Sequence, residues 1–472
     1  MGEAGLAGLS VLQWLALIDH ELLVFTLFWF VLGTLDEAVI DLAWLWLRLT
    51  GRAATPRLPA RHGALPLLGP AAVLIPAWRE AEVIGTTLRH ALAAWPQREL
   101  RIYVGCYRND AATIAAAMAA VGSDPRVRLV IHDRPGPSTK ADCLNRLYAA
   151  LRADEARSGS QFRAVLLQDA EDMVHPDALV AIDRALDTAD FVQLPVRPEI
   201  DRRSRWIGAH YADEFTEAHA KLMVVRDALG AAIPAAGVGC GIARAALSAL
   251  AMMRRQEGGE GPFAAECLTE DYELGLMLSR MGRGGRFLRL RDARGQLVAT
   301  RSYFPADLPQ AVRQKTRWIH GIALQSWDRL GWTQQRPVDL WMALRDRRGP
   351  LTALVFALAY ALILVEGVLA VARELGWQGD LAVSPMLGAM LWVGLAGLAW
   401  RAAMRFVFTA REYGLGEGLR AVLRIPISNV IAIMAGRRAL AAYVASLRGR
   451  AVTWDKTTHS AHPALLAAEV RA

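Results

Sequence analysis

The chain has 472 residues, of which 54% are hydrophobic and 21% charged. It is too apolar for an ordinary soluble protein and too charged for one wholly buried in lipid, with a mean hydropathy of +0.22. The net charge of +8 comes from arginines crowded beside apolar runs rather than from a basic stripe interleaved with aromatics, which excludes a nucleic-acid groove and points to membrane-flanking charge.

Leu22 to Leu47 is the first apolar stretch long enough to span, since about 20 residues cover the hydrocarbon core. No small-residue cleavage site follows it, so an anchor is expected. Arg48, Arg52, Arg57 and Arg61 place the side beyond it in the cytosol. The stretch carries Asp36, Glu37 and Asp41, the last two one helical turn apart. Either the span ends near Leu35, or these carboxylates pair within the membrane with Arg424, Arg437 or Arg438.

From about Leu68 to Leu330 short apolar runs alternate with helical segments. Ala71–Pro76, Arg101–Cys106, Val127–His132, Phe162–Gln168 and Phe191–Pro195 read as strands, and Ala81–Ala93 as a helix. This alternation predicts an α/β domain with a mostly parallel sheet. Ligands of such sheets bind at the carboxyl ends of strands, where Trp78-Arg79-Glu80, Arg108-Asn109-Asp110 and Asp169-Ala170-Glu171-Asp172 fall. There is no P-loop and no G-x-G-x-x-G turn. Bound phosphates therefore need another device, and a hard divalent cation on Asp169 with Glu171 or Asp172 would supply it. Helix capping by Asp169 or Asp172 is the competing reading. Cys106, Cys143, Cys240 and Cys267 fall in this polar stretch without a C-x-x-C pair, which argues against zinc and for reduced, buried thiols.

Thr269-Glu270-Asp271 precedes a helical segment, where a carboxylate either caps the helix or acts as a general base; Asp271 is the expected base, with Glu270 beside it. In the helical stretch Asp307 to Trp327, the i, i+3, i+4 spacing of Gln314, Arg317 and Trp318 puts them on adjacent faces. Arg317 can clasp a diphosphate and Trp318 can stack on a sugar, or the helix is an interfacial one with an aromatic anchor. Leu351–Ala372 and Leu381–Trp400 are further spans, flanked by Arg345, Arg347, Arg348, Arg401 and Arg405. Ala421–Leu447 contains three arginines and is expected at the interface rather than across it. Four regions follow: an N-terminal membrane helix at 1–50, a cytosolic domain at 51–345, membrane and interface helices at 346–447, and a tail at 448–472.

Together these residues resemble the family-2 glycosyltransferases of GT-A fold, of the membrane-embedded cellulose-synthase-like type. The wording of Asp169–Pro176 and Arg313–Trp318 is similar to the glycosyltransferase part of the phage-adsorption protein B family. The resemblance runs from Ala71 to Trp318 and extends to the flanking spans. It implies an α/β GT-A nucleotide-sugar domain embedded between transmembrane helices in a bacterial inner membrane, with the domain cytosolic. Val73–Glu80 is similar to the family's first strand and turn, which puts Pro76, Ala77 and Glu80 at the nucleotide. Thr139–Asn145 is similar to its Gly-Lys-x-x-Ala-Leu-Asn segment, which puts Lys140 and Asn145 near the diphosphate. Asp169, Glu171 and Asp172 match the Asp-x-Asp element, with Mn2+ or Mg2+ the implied ion. Thr269–Asp271 matches the base motif, and Gln314, Arg317 and Trp318 the last motif.

The chain departs from the pattern where Tyr107-Arg108-Asn109-Asp110 replaces an Asp-Asp-Gly-Ser-like turn, leaving Asp110 as the expected base contact, and where Thr139 replaces glycine. The resemblance implies an inverting transferase that moves a sugar, expected from a UDP-sugar, to a growing polysaccharide, with coupling to export. Single-sugar transfer to a polyprenyl phosphate and a non-catalytic receptor or scaffold are the alternatives. Membrane lipids, a glycan or lipid-linked acceptor and a regulatory or export chain are the implied partners. The family's C-terminal regulatory domain is not expected within 472 residues, and Trp454–His459 is expected either to gate the nucleotide site or to be a polar tail.

Overall fold

The computed structural model describes residues 10–332, 336–379, 383–449 and 461–465. Helix α1 (Val11–Leu49) starts earlier than hydropathy predicts, because Ser10 and Gln13 form a capping box that fixes its first turn. Then β1 (Ala71–Pro76), α2 (Ile84–Ala94), β2 (Leu100–Tyr107), α3 (Ala111–Val121), β3 (Val127–His132), α4 (Lys140–Ser158), β4 (Ala164–Leu167) and α5 (Ala178–Ala185) alternate as expected. Strands β5 (Phe191–Gln193) and β6 (Val196–Glu199) lead into α6 (Ala209–Glu217), a π-helical turn at Ala218–Leu222, and α7 (Met223–Ala228). The domain is completed by β7 (Cys240–Ala243), α8 (Arg244–Gln256), α9 (Glu270–Arg280), β8 (Gly285–Phe287) and β9 (Thr300–Tyr303). Helix α10 (Leu308–Trp318) continues through a second π-helical turn, Ile319–Gln325, into α11 (Ser326–Leu330). The remaining helices are α12 (Pro337–Arg347), α13 (Gly349–Glu374), α14 (Pro385–Tyr413), α15 (Leu415–Leu423) and α16 (Ile425–Leu447).

The main sheet has the order β3-β2-β1-β4-β7-β5-β8. β1 pairs parallel with both β2 and β4, in a register that sets Val73 beside Ile102 and Leu166. β7 runs against both its neighbours, a feature the sequence did not signal, and β6 and β9 form a separate parallel ribbon. Alternate residues of each strand serve opposite faces. Val73, Ile75, Ile102, Val104 and Leu166 pack under α2 and α5, while Leu74, Tyr103, Val165 and Leu167 pack under α4, α8 and α9. The carboxyl ends of β1, β2 and β4 thereby open onto one side of the sheet.

Helices α1, α13, α14 and α16 are long and apolar enough to cross a bilayer, so the chain is a membrane protein with an α/β domain set among its helices. The stretch 421–447 is not one element: it breaks at Arg424, between the short α15 and the long α16. Ser428 near one end of α16 donates to Glu214, and Tyr443 near the other donates to Asp328. Both partners belong to the sheet domain and its α10–α11 extension, so α16 lies along that domain as well as against α13.

The expected pairing of the α1 carboxylates with Arg424, Arg437 or Arg438 is corrected. Asp36 pairs with Arg345 and with Arg348 at 2.7 Å, and Glu37 pairs with Arg348 and with Arg345 at 2.7 Å. Asp41 takes Lys221 at 2.6 Å and the Trp400 indole at 2.7 Å. Arg437 and Arg438 are exposed. Arg424 turns instead to Asp213 of α6, Nη2 to Oδ1 at 2.7 Å and Nε to Oδ2 at 2.8 Å, with both side chains 0% exposed. Its Nη1 also donates to Glu417 and to the Arg205 carbonyl.

Removing one partner of a buried pair strands the other's charge, at a cost of about 3–5 kcal/mol, whereas an apolar replacement of both is often neutral. We therefore expect Arg424→Met to lower the melting temperature sharply in detergent and Asp213→Leu/Arg424→Met to recover most of the loss. A double variant as unstable as the sum of the single changes would contradict this pairing.

Candidate active site

A cavity of about 510 Å³ lies at the carboxyl ends of β1 and β4, between them and α10. Pro76, Trp78 and Glu80 reach it from the end of β1, Lys140 from the first turn of α4, and Asp169, Glu171 and Asp172 from the turn after β4. Asp271 enters from the first turn of α9, and Gln314, Arg317 and Trp318 from α10. These groups lie up to 242 residues apart in sequence (Pro76 to Trp318), and the fold brings them onto one surface.

Lys140 is placed by a cap. Thr139, where glycine is usual, is the N-cap of α4 and accepts the Asp142 N–H at 3.2 Å. The Lys140 ammonium lies 2.5 Å from Asp169 Oδ1. Burial opposes its charge, but Asp169, Glu270 and Asp271 outweigh burial and hold it protonated, above the ordinary lysine range.

Asp271 Oδ1 accepts the Tyr272 N–H at 2.8 Å, an arrangement that orients the carboxylate at the helix start. Burial pushes its carboxyl up, against Lys140, the Tyr272 N–H and Arg317, which favour the charged form. Burial, and then the Asp271 charge, bring Glu270 up to about 7. Glu270 does not line the main cavity. It lies in a smaller hollow shared with Lys140, Arg317 and Trp318. Arg317 lines both spaces and makes no hydrogen bond or ion pair among the described residues, so its guanidinium is available to an anion. The Trp318 ring stands edge-on to Tyr211, 5.8 Å between centroids, with Phe215 6.0 Å away.

Several expected ligands do other work. Ala77 is buried in the extension of the strand, its N–H on the Gly105 carbonyl. Asp110 caps α3 through the Thr113 N–H and takes the Arg79 N–H at 2.5 Å, holding Arg79 at a φ of 55°. It shapes the Trp78–Glu80 turn and is not a lining residue of the cavity. Asn145 pairs with both backbone groups of Phe263, at 2.8 and 3.0 Å, and so fastens the loop before α9 onto α4. Asp172 is 2% exposed, and its Oδ2 accepts the Asp169 N–H at 2.7 Å. Burial, with Asp169 and Glu171 nearby, raises its carboxyl well above the usual range. Trp454–His459 lies outside the described residues.

Sequence reasoning missed two features. Gly237, at a φ of 75°, sits so close that a Cβ there would lie 2.5 Å from Asp271 Oδ2 and 3.3 Å from Lys140 Nζ. The run Gly237-Val238-Gly239-Cys240-Gly241 was the visible sign of a close backbone approach. The second feature is a network beside Asp271. Arg226 grips Asp346 at 2.9 and 3.0 Å, and the Tyr272 hydroxyl donates to Asp346 at 2.9 Å, with all three residues lining the cavity.

The donor set fits a hard divalent cation. Among the described residues no three His, Cys, Asp or Glu side chains form a ready cluster. Mg2+-type sites, however, commonly use one or two carboxylates and take their other oxygens from substrate phosphates and water. Asp169 and Glu171 supply two such carboxylates on the cavity wall, whereas Asp172 is committed to the turn itself.

Residues 69–321 match the family described as "Glycosyltransferase like family 2". The bacteriophage adsorption protein B of Escherichia coli K12 is 34% identical over 454 residues, covering 90% of this chain and 60% of that protein. The bacteriophage N4 adsorption protein B of Escherichia coli O157:H7 matches with the same identity and coverage. The chain thus spans about 60% of the length of these relatives. Among solved structures, the mannosyltransferase PcManGT from Pyrobaculum calidifontis, in complex with GDP-Man and Mn2+, is similar at a TM-score of 0.49 and 17% identity, over 88% of this chain and 99% of that one. Because the matched family covers more than half of its residues, this chain belongs to the glycosyltransferase-like family 2.

Proposed function

We propose that this protein is an inverting membrane glycosyltransferase that moves a sugar from a nucleoside-diphosphate donor, expected to be a UDP-sugar, to a growing glycan. The observation that carries this reading is the convergence of Asp271, Lys140, Arg317, Trp318 and the Asp169–Glu171 carboxylates on one cavity. An acceptor hydroxyl attacks the anomeric carbon from one face while the bond to the diphosphate oxygen breaks on the other. Asp271 takes the proton that the hydroxyl loses. The leaving diphosphate gains negative charge, which Lys140 and Arg317 offset. Asp169 and Glu171 would hold a divalent cation, whose contribution when bound is Lewis-acid stabilisation of the diphosphate. Trp318, Phe215 and Phe304 give the cavity an aromatic wall on which a sugar ring can stack. The arginines flanking the apolar helices support a cytosolic domain at a bacterial inner membrane.

Turnover of nucleotide sugars by purified protein tests this reading. Asp271→Asn should lower kcat by about 10²–10⁴-fold, the span typical of general-base loss. A chelator should lower turnover, and Mn2+ or Mg2+ should restore it. Failure of the wild type to turn over any donor would favour a scaffold role, and a product carrying one sugar on a polyprenyl phosphate would replace the polymer reading.

The raised carboxyls predict a pH dependence with a definite sign. Only ionised Asp271 can accept a proton, so kcat/KM should rise with pH through an acidic limb. Because Glu270 and Asp271 share a buried environment, the limb belongs to the pair and should lie above the ordinary carboxylate range. Glu270→Gln removes one of the two charges and should move the limb to lower pH. An unmoved limb in that variant would show that the pair does not set it.

A further inference from the structure

The ends of α1 and α14 leave the apolar layer side by side, with Trp44 and Phe408 in edge contact at 5.2 Å. Arginines converge just beyond that contact. Arg289 Nη2 and Arg291 Nη2 both donate to Glu412 Oε1, at 2.7 and 2.5 Å. Arg289 Nη1 donates to Thr55 in the link that follows α1, and its Nε–H is buried without an acceptor among the described residues. Arg291 Nη1 donates to the Gly295 carbonyl, and Arg57 lies against the same Gly295 and bridges to Arg291 through its backbone. Arg48, which donates to the Ala53 carbonyl, and Arg411, next to Glu412, are exposed at the rim. Two guanidinium groups thus share one carboxylate, with Arg411 beside it in sequence and Arg57 bridged to Arg291. Arg411 lies within electrostatic reach of both Arg48 and Arg291. Burial, opposed by Glu412 but reinforced by Arg291 and Arg411, brings Arg289 down to about 10.

This excess of positive charge adjoins an apolar surface. On α1, Leu42, Leu45, Trp46 and Leu49 are 66%, 47%, 64% and 76% exposed. They lie within two helical turns of Arg48, as acyl chains and a headgroup would require. We propose that this cluster binds the phosphate of an anionic phospholipid, with the headgroup between Arg48 and Arg411 and the acyl chains along the exposed face of α1. Guanidinium forks match phosphate oxygens, and basic pockets between membrane helices suit anionic headgroups. A free phosphate shares this chemistry, but only a lipid also uses the apolar face.

The test is native mass spectrometry and thermal unfolding of the full chain, titrated separately with phosphatidylglycerol, phosphatidylcholine and inorganic phosphate. Phosphatidylglycerol should be retained and should raise the melting temperature; phosphatidylcholine should do neither. Arg48→Gln/Arg411→Gln changes two exposed side chains and should weaken phosphatidylglycerol binding on the order of 30-fold, with unfolding in phosphatidylcholine unchanged. In the wild type, retention should also fall as salt is raised. Equal retention of the two lipids, unchanged affinity in the double variant, or salt-insensitive binding would overturn the proposal. An equal melting shift from inorganic phosphate alone would reassign the cluster to a soluble anion.

Discussion

A charge taken out of water must meet an opposite charge or be neutralised, and that requirement governs how the sheet domain is joined to the apolar helices. Asp36, Glu37 and Asp41 sit on α1, and each is met by a cation from elsewhere: Arg345 and Arg348 from around α12, Lys221 from the turn after α6. Asp213 of α6 is met by Arg424 at the α15–α16 junction. These pairs tie the N-terminal helix, the domain and the C-terminal helices into one body. They also hold α6, to which the Lys315–Glu214 pair fastens α10, and both helices carry part of the cavity wall.

The same rule operates inside the cavity. Asp169, Glu270 and Asp271 surround a single ammonium, Lys140, and burial, ahead of the neighbouring carboxylates, raises the carboxyls of Glu270 and Asp271. A site built this way favours bound cations and penalises further negative charge, which suits a diphosphate only in company with positive charge. The tetrad Arg345-Asp346-Arg347-Arg348 links the two settings. Arg345 and Arg348 face the carboxylates of α1, whereas Asp346 faces Arg226 and Tyr272 beside the base.

The α/β class, the strands carrying the site, the first three long apolar helices, and Glu80, Asp169, Glu171, Asp271, Gln314 and Arg317 were legible from local pattern: alternation, strand-end polar residues and helical spacing. Lys140 and Pro76 were legible only through the family resemblance. Three kinds of feature were not. Strand β7 has only four residues, Cys-Gly-Ile-Ala, too short to show a direction. The partners of Asp36 and Glu37 lie about 310 residues away, and arginines elsewhere in the chain fit the same demand until the fold chooses among them. Asp110, Asn145 and Asp172 have side chains that serve a ligand or a backbone N–H equally well, and only the structure shows that each is engaged with the backbone.

The two π-helical turns have a consequence for how this chain can change length. Both contribute to the cavity, through Ala218, His219 and Leu222 in one and Ile322 in the other. A π-turn accommodates one residue more than the α-turn it replaces. Deleting a single residue from 218–222 or 319–325 would restore ordinary helix and keep the helix beyond in nearly its present orientation, whereas a deletion in the flanking α-helical turns would rotate everything beyond by roughly 100°. These two stretches are thus where each helix can shorten by one residue with the wall beyond it kept in register, a change that the α-helical turns on either side do not allow.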